Sequence, residues 1–271
     1  MFAVQKVDTL DLPQLAPYRT LRRQEEHRQQ GIFVAEGEKV VRRLFESPLE
    51  VISALMPEKW LRNLEPVLQA RAEIIPVFTA EKKLLESLTG FSMYQGLLAV
   101  GKVPPALPLE SICAQAKPPA LFVAVDGLSS AENLGALVRS CLAFEVAALL
   151  VGETCTSPFL RRAVRSSMGA IFHLPVIESA SLPDTLTSLK AVGIQCVAAH
   201  PTADDQRIRH TDLTRATCLV FGSEGYGISS AVLHVCDFAA AIPMPRTVDS
   251  LNVASAAAVF LYEANRQRNK V

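Results

Sequence analysis

Net charge is absent from this sequence: 27 Lys and Arg stand against 27 Asp and Glu in 271 residues. That excludes a histone-like or ribosomal-protein-like chain bound by bulk positive charge, but not local basic patches, since the field at a site depends on where charges cluster. Missing too is any Cys-x-x-Cys pair. The cysteines stand at 113, 141, 155, 196, 218 and 236, and no His falls at a ligand spacing from them, so structural zinc and other metal sites are not expected. Cys141, Cys196 and Cys218 lie inside apolar runs as small hydrophobes, and the setting reads as reducing, hence cytoplasmic. No 18-residue apolar stretch is free of charge or proline, and Met1–Pro13 lacks a basic segment followed by an apolar one. Neither a membrane partner nor a secretory signal is expected. Internal repeats, low-complexity tracts and the Gly-Lys-Ser or Gly-Lys-Thr of a phosphate loop are also lacking.

What is present is ordinary globular composition, 49% apolar and 20% charged, over a length that suggests two domains at about 150 residues each. Proline clusters at Val103–Pro108 and Lys117–Pro119 mark the break. We therefore expect a first domain over 1–103, a Pro-rich linker region over 104–119 and a second domain over 120–271. In the first, Tyr18–Gln30 reads as one exposed helix ended by Gly31, and Ile32–Ala35, Val51–Met56, Glu73–Val77 and Gly96–Val100 as strands. Glu38–Phe45 carries apolar residues at helical spacing. The second alternates strictly. Ala120–Val125, Val146–Val151, Ile194–Ala199 and Cys218–Phe221 read as buried strands. Ala131–Phe144 (capped by Ser130), a helix starting at Ser157-Pro158, Leu182–Val192 and Val253–Arg266 read as helices. Such alternation means an α/β fold with a parallel sheet covered on both faces.

Ligands of open parallel sheets bind beyond the carboxyl ends of the strands, and three segments occupy that place: Asp126–Arg139, Phe221–Gly227 and Ile242–Val253. The middle one, Gly222-Ser223-Glu224-Gly225-Tyr226-Gly227, suits a ligand-cradling loop or a plain tight turn, and its glycine order is not that of a dinucleotide site. In the third, Ser250, Asn252 and Ser255 bring polar groups to an Ala-rich helix, where capping and ligand binding can coexist.

Together these segments resemble the three motifs of the SpoU-type (TrmH-like) RNA 2′-O-ribose methyltransferases of the SPOUT class. Asn-x-Gly-x-x-x-Arg appears as Asn133, Gly135 and Arg139, and Gly-x-Glu-x-x-Gly as Gly222, Glu224 and Gly227. Ile-Pro-Met followed by Ser-Leu-Asn-Val appears as Ile242–Met244 and Ser250–Val253. Ser166–Pro175 and Phe33–Gly37 extend the likeness across nearly the whole chain. The resemblance implies a SPOUT parallel sheet with a C-terminal trefoil knot and a smaller N-terminal α/β, ribosomal-protein-like substrate domain. It also implies S-adenosylmethionine held by Gly222, Ile242 and Leu251, and a homodimer formed through the C-terminal domain. The catalytic set it implies is Arg139, Asn133, Glu224, Ser250 and Asn252. Relatives often have Gly in the turn after Ile-Pro-Met, where this chain has Pro245-Arg246. Arg139 as a base is chemically difficult, because a guanidinium stays protonated below about pH 12. An anchoring role on RNA phosphate fits it better, with Glu224 the competing base or a structural group.

The substrate implied is structured RNA, ribosomal favoured over transfer RNA, and no DNA. Arg19, Arg22, Arg23 and Arg28 on one helix, and Arg161, Arg162 and Arg165 on another, are the candidate phosphate contacts. Taken alone, each cluster also suits a solvated helix face. A catalytically inactive RNA-binding or ribosome-assembly protein on the same fold is the alternative, and the intact catalytic set argues against it.

Overall fold

The computed structural model describes residues 2–89, 96–201, 207–245 and 247–268; Arg246 lies outside the described residues. In chain order the principal elements begin with β1 (Phe2–Lys6), α1 (Ala16–Arg19), α2 (Gln24–Gln29), β2 (Ile32–Glu36), α3 (Glu38–Glu46), β3 (Val51–Met56), α4 (Glu58–Gln69), β4 (Ile75–Thr79), α5 (Lys82–Thr89) and β5 (Leu98–Lys102). They continue with α6 (Leu109–Gln115), β6 (Leu121–Asp126), α7 (Ala131–Ala143), β7 (Ala148–Val151), α8 (Arg161–Ser166), β8 (Val176–Glu178), α9 (Leu182–Ala191), β9 (Gln195–Ala199), β10 (Thr217–Gly222), α10 (Ser230–Val235), β11 (Phe238–Ala240) and α11 (Val253–Arg268). Contacts divide the chain into two compact units, Met1–Pro105 with Pro158–His173, and Ala106–Ser157 with Leu174–Val271.

The first unit is built on a mixed sheet in the order β1-β4-β3-β5-β2, with β5 antiparallel to both its neighbours. Segment 158–173 is held in this unit by aromatic packing: the Phe33 ring lies 5.6 Å from Phe159 and 5.5 Å from Phe172, centroid to centroid. Such pairs contribute about 0.5–1.5 kcal/mol beyond area burial. The glycine opposite Phe33 is required by space, since a Cβ on Gly101 would stand 2.5 Å from the Phe33 ring. Tyr18–Gln30 is not one exposed helix. It breaks into α1 and α2 because Tyr18, Leu21 and His27 are buried, with the Tyr18 hydroxyl 2.8 Å from Ser53 Oγ and His27 Nε2 2.9 Å from Thr20 Oγ1. Burial pushes the Tyr18 phenol far above its ordinary value and the His27 imidazole down. The helix expected to start at Ser157-Pro158 begins instead at Arg161.

The second unit is an all-parallel, six-stranded sheet in the order β11-β9-β10-β6-β7-β8. β6 is buried along its whole length, the apolar run a central parallel strand needs. Between the two proline clusters runs α6, whose Ile112 is buried in this unit's core. Chain direction turns outward from β6 through β7 to β8, then resumes on the other side with β9 and β10. The central pair β6–β10 is therefore a switch point of the kind that opens a crevice at the carboxyl edge. Register fixes what meets there: Gly222, ending β10, pairs with Asp126, ending β6, and Ala240 of β11 pairs with Ala199 of β9. Three loops thus leave one sheet edge at nearly the same height.

Candidate active site

The first loop leads into α7, where Ser130 is the N-cap and its Oγ accepts from Asn133 N at 3.2 Å. The cap sets Asn133 on the first turn, facing the sheet edge. In the second loop, Ser223 and Gly227 exchange backbone hydrogen bonds of 3.0 and 2.9 Å, folding residues 223–227 into a tight hairpin. Gly222 is required there by close approach, since a Cβ on it would stand 2.1 Å from the Gly227 carbonyl carbon. The third loop ends on α11, and Asn252 caps it: Asn252 Oδ1 accepts from Ala254 N at 3.0 Å and Ser255 N at 3.4 Å. Backbone N–H groups only donate, so they orient the Asn252 amide, and its Nδ2 must face the other way.

What that Nδ2 meets joins the three loops. It donates to Glu224 Oε1 at 3.0 Å and to Asn133 Oδ1 at 3.1 Å, and Asn133 Nδ2 donates to Glu224 Oε1 in turn. Asn133, Glu224 and Asn252 therefore form a closed triangle with one residue from each loop. Glu224 Oε1 is engaged by two amide donors, which gives the carboxylate a structural task, and among the described residues Oε2 is left as its open oxygen. Arg139 is exposed, six residues or about 9 Å of helical rise beyond Asn133 on α7, with no hydrogen-bond or ion-pair partner among the described residues.

Beside the triangle lies a cavity of about 320 Å³, lined among others by His200, Phe221, Gly222, Glu224, Ile242, Ser250, Leu251 and Phe260. Gly222, Ile242 and Leu251 meet in it, with Ser250 and Glu224 at its polar side. Its size is at the lower end of small-ligand sites, about 300–1,000 Å³. Its described lining is apolar side chains and backbone, with His200, Ser223, Ser250 and the carboxylates of Glu224 and Asp249, and no Lys or Arg. Among the described lining residues, a phosphate-bearing nucleotide would find no Lys or Arg as countercharge. A largely apolar or cationic ligand fits.

Several supporting groups escape sequence reasoning. Asp126 is only 9% exposed, and its Oδ2 accepts from Ser229 N at 2.7 Å, tying the end of β6 to the far side of the Gly222–Gly227 hairpin. Cys155 Sγ donates to Val125 O and accepts from Leu128 N, both at 3.2 Å, bracing the first loop; burial raises its thiol above the usual range. His200, following β9, lines the cavity. Asp126 carries the one usable signal, an acid closing an apolar strand; the others leave no local trace.

The candidate RNA-contact arginines are dispersed. Arg161 is only 19% exposed and is paired with Glu36, itself 11% exposed; Arg165 reaches the other oxygen of the same carboxylate at 3.3 Å and is 62% exposed. Arg161 is thus not on the exposed side of its helix, because α8 packs against β2, which ends in Glu36. Arg19 donates to the carbonyls of Leu10 and Leu12, and Arg23 pairs with Glu26 at 3.0 Å. Arg22, Arg28 and Arg162 are also engaged.

The sequence profile of the SpoU rRNA Methylase family matches residues 120–262. The chain belongs to this family. An uncharacterised tRNA/rRNA methyltransferase of Mycobacterium tuberculosis is 33% identical over 278 residues, spanning 99% of this chain and 94% of its own length. The crystal structure of the SpoU methyltransferase AviRb from Streptomyces viridochromogenes in complex with AdoMet superposes with a TM-score of 0.78 at 28% identity, covering 93% of this chain and 98% of that one. A crystal structure described as an RNA 2′-O ribose methyltransferase gives 0.79 at 27% identity and covers 99% of both chains. In this SpoU-family methyltransferase, the matched span contains the whole amide–carboxylate triangle and every described residue that lines the cavity.

Proposed function

We propose that this protein transfers the methyl group of S-adenosylmethionine to a ribose 2′-hydroxyl of structured RNA, ribosomal RNA being favoured over transfer RNA. One observation carries the reading: the triangle Asn133–Glu224–Asn252 stands at the rim of a cavity whose described lining holds no cation for phosphate. Full-length likeness to a protein described as an RNA 2′-O ribose methyltransferase supports ribose over base as the acceptor.

Gly222, Ile242 and Leu251 would hold the cofactor, with backbone groups of the second and third loops available to its adenosine. When bound, it supplies a methyl on a sulfonium; transfer to the 2′-oxygen leaves the neutral thioether and frees the hydroxyl proton. Because the donor starts cationic and ends neutral, an unshielded carboxylate near the sulfur would stabilise the ground state more than the transition state. Two amide N–H groups on Glu224 Oε1 temper that charge. Arg139 anchors an RNA phosphate and sets the 2′-hydroxyl in line with the methyl, work worth several kcal/mol through orientation alone. Its guanidinium cannot take the proton, which leaves through Ser250, Glu224 Oε2 or water.

In the same reading, the C-terminal segment is tied in the family's trefoil knot, and two copies associate through the second unit. Arg19, Arg22, Arg23, Arg28, Arg162 and Arg165 supply the phosphate contacts, and Arg161 holds Glu36 in register for Arg165. Arg139→Ala tests the core of the proposal. Methyl incorporation into deproteinised ribosomal RNA should fall to background, while calorimetric affinity for S-adenosylmethionine changes less than about twofold. Loss of cofactor affinity with residual turnover would refute the assignment.

A further inference from the structure

We infer that Tyr226 is a stacking platform for a base of the RNA, seating a nucleotide at the mouth of the site; this rests on the RNA methyl-transfer reading above. Tyr226 is 99% exposed, the most exposed of the large hydrophobic side chains among the described residues. A side chain of this size is ordinarily at least half covered, so a ring wholly in water calls for a use. It sits at the tip of the Gly222–Gly227 hairpin, two residues from Glu224 and so within about 7 Å of chain from the triangle.

The hairpin presents the ring from a fixed base. Ser223 and Gly227 exchange two backbone bonds, and Tyr226 N donates to Ser223 Oγ at 3.1 Å. The backbone beneath the ring therefore has little ordering entropy left to lose on binding. Glycine flanks the ring on both sides, and a Cβ on Gly225 or Gly227 would meet nothing within 4 Å. The approach to the ring is therefore open, which suits a flat partner and not a side chain seated in a pocket. A protein–protein anchor would need apolar neighbours to shut out water. Its chain neighbours are Ser223, Glu224 and two glycines; the exposed apolar residues Val248 and Leu251 belong to the third loop, Leu251 lining the same cavity as Gly225 and Gly227, and Leu142, Val259 and Tyr262 lie on α7 and α11. Unpaired RNA bases are taken up on aromatic faces in this way, and every base has such a face.

The test uses the full chain with a fluorescein-labelled oligoadenylate for binding and deproteinised ribosomal RNA for methylation. Tyr226→Ala should weaken oligoadenylate binding by about 5- to 150-fold. Tyr226→Phe and Tyr226→Trp should stay within about threefold of the parent, since both keep the ring face. Affinity for S-adenosylmethionine should not change, and the Ala variant should raise the KM for RNA while holding kcat. In a Trp60→Phe background, Tyr226→Trp carries the sole tryptophan, and oligoadenylate should quench it. The proposal is overturned if the parent does not bind oligoadenylate, if Ala binds as tightly as Tyr, or if Phe loses as much as Ala. It is equally overturned if Tyr226→Ala lowers the sedimenting mass, which would make the ring a protein contact. Ring-dependent binding by a parent that methylates no RNA would sink the methyl-transfer reading and leave the stacking site standing.

Discussion

Replacing Asn252 by Asp changes one atom of the triangle and reverses its logic. The Oδ1 that caps α11 can stay where it is, and an acid at a helix N-terminus gains about 0.5 kcal/mol from the helix dipole. The Nδ2 becomes an oxygen facing Glu224 Oε1 at 3.0 Å and Asn133 Oδ1 at 3.1 Å. Losing amide donation to a carboxylate at this exposed site costs about 1–2 kcal/mol. Two like charges about 3 Å apart add roughly 1.4 kcal/mol at the dielectric of water, the appropriate limit because both residues are exposed. The net loss near neutral pH is about 2 kcal/mol, or about 4–8 °C in the melting of a unit of this size. The sign of its pH dependence is fixed. Repulsion raises a carboxyl pKa of the folded variant above the unfolded value of about 4. The deficit against wild type is therefore small below that value and grows as pH rises through the raised folded value. Once protonated, the introduced carboxyl can again donate to Glu224. Thermal unfolding of variant and wild type at pH 4.5 and 7.5 should give the larger difference at 7.5. An equal difference at both values, or none at either, would show that the triangle is not held as the geometry indicates.

Two further perturbations probe other parts of the chain. Gly222→Ala sets a Cβ 2.1–2.3 Å from backbone atoms of Gly227 and Ile228, so the hairpin must open; we expect S-adenosylmethionine affinity to fall more than tenfold with a cost of about 1–3 kcal/mol, measured by calorimetry and thermal melting. Glu73 is held down to about 2 by its bond to Arg71, which also ties down the carbonyls of Phe45 and Leu49. Its contribution, about 1 kcal/mol after discounting for solvent, is present above about pH 4.5 and lost as pH falls toward 2. The stability gap between wild type and Glu73→Gln should accordingly close over that range in acid unfolding.

The parts of the site legible in the sequence are those carried by single loops with distinctive residue order. Asn133 and Glu224 each follow a visible apolar strand, Asn252 opens a visible Ala-rich helix, and Ser130 stands as a cap. What joins them needs the register of β6 against β10, which no local pattern encodes. The long strands β6 and β10 announce themselves as apolar runs, whereas β8 and β11 have three residues each, too few for any periodicity to show. Tyr18–Gln30 misleads because its polar composition suits an exposed helix, while the buried Tyr18, Leu21 and His27 are accommodated through contacts such as those to Ser53 and Thr20. Arg161 misleads for a related reason: its partner Glu36 lies 125 residues away in sequence.

The same pair shows how a chain of zero net charge can still carry local positive charge. A carboxylate shared by two guanidiniums leaves the trio Glu36–Arg161–Arg165 one positive charge in excess, and the member facing solvent is Arg165. Arg161, nearly buried, spends its charge on fixing Glu36, which in turn restricts where Arg165 can point. Arg19 works differently. Its bonds go to the neutral carbonyls of Leu10 and Leu12, so it is held in place with its charge uncancelled. Arg23 pairs with Glu26 at a mostly exposed position, where such pairs contribute little to stability. Counting arginines along the sequence weights all of these equally. Following each to its partner separates charge spent on the fold, as at Arg161, from charge left facing solvent, as at Arg165.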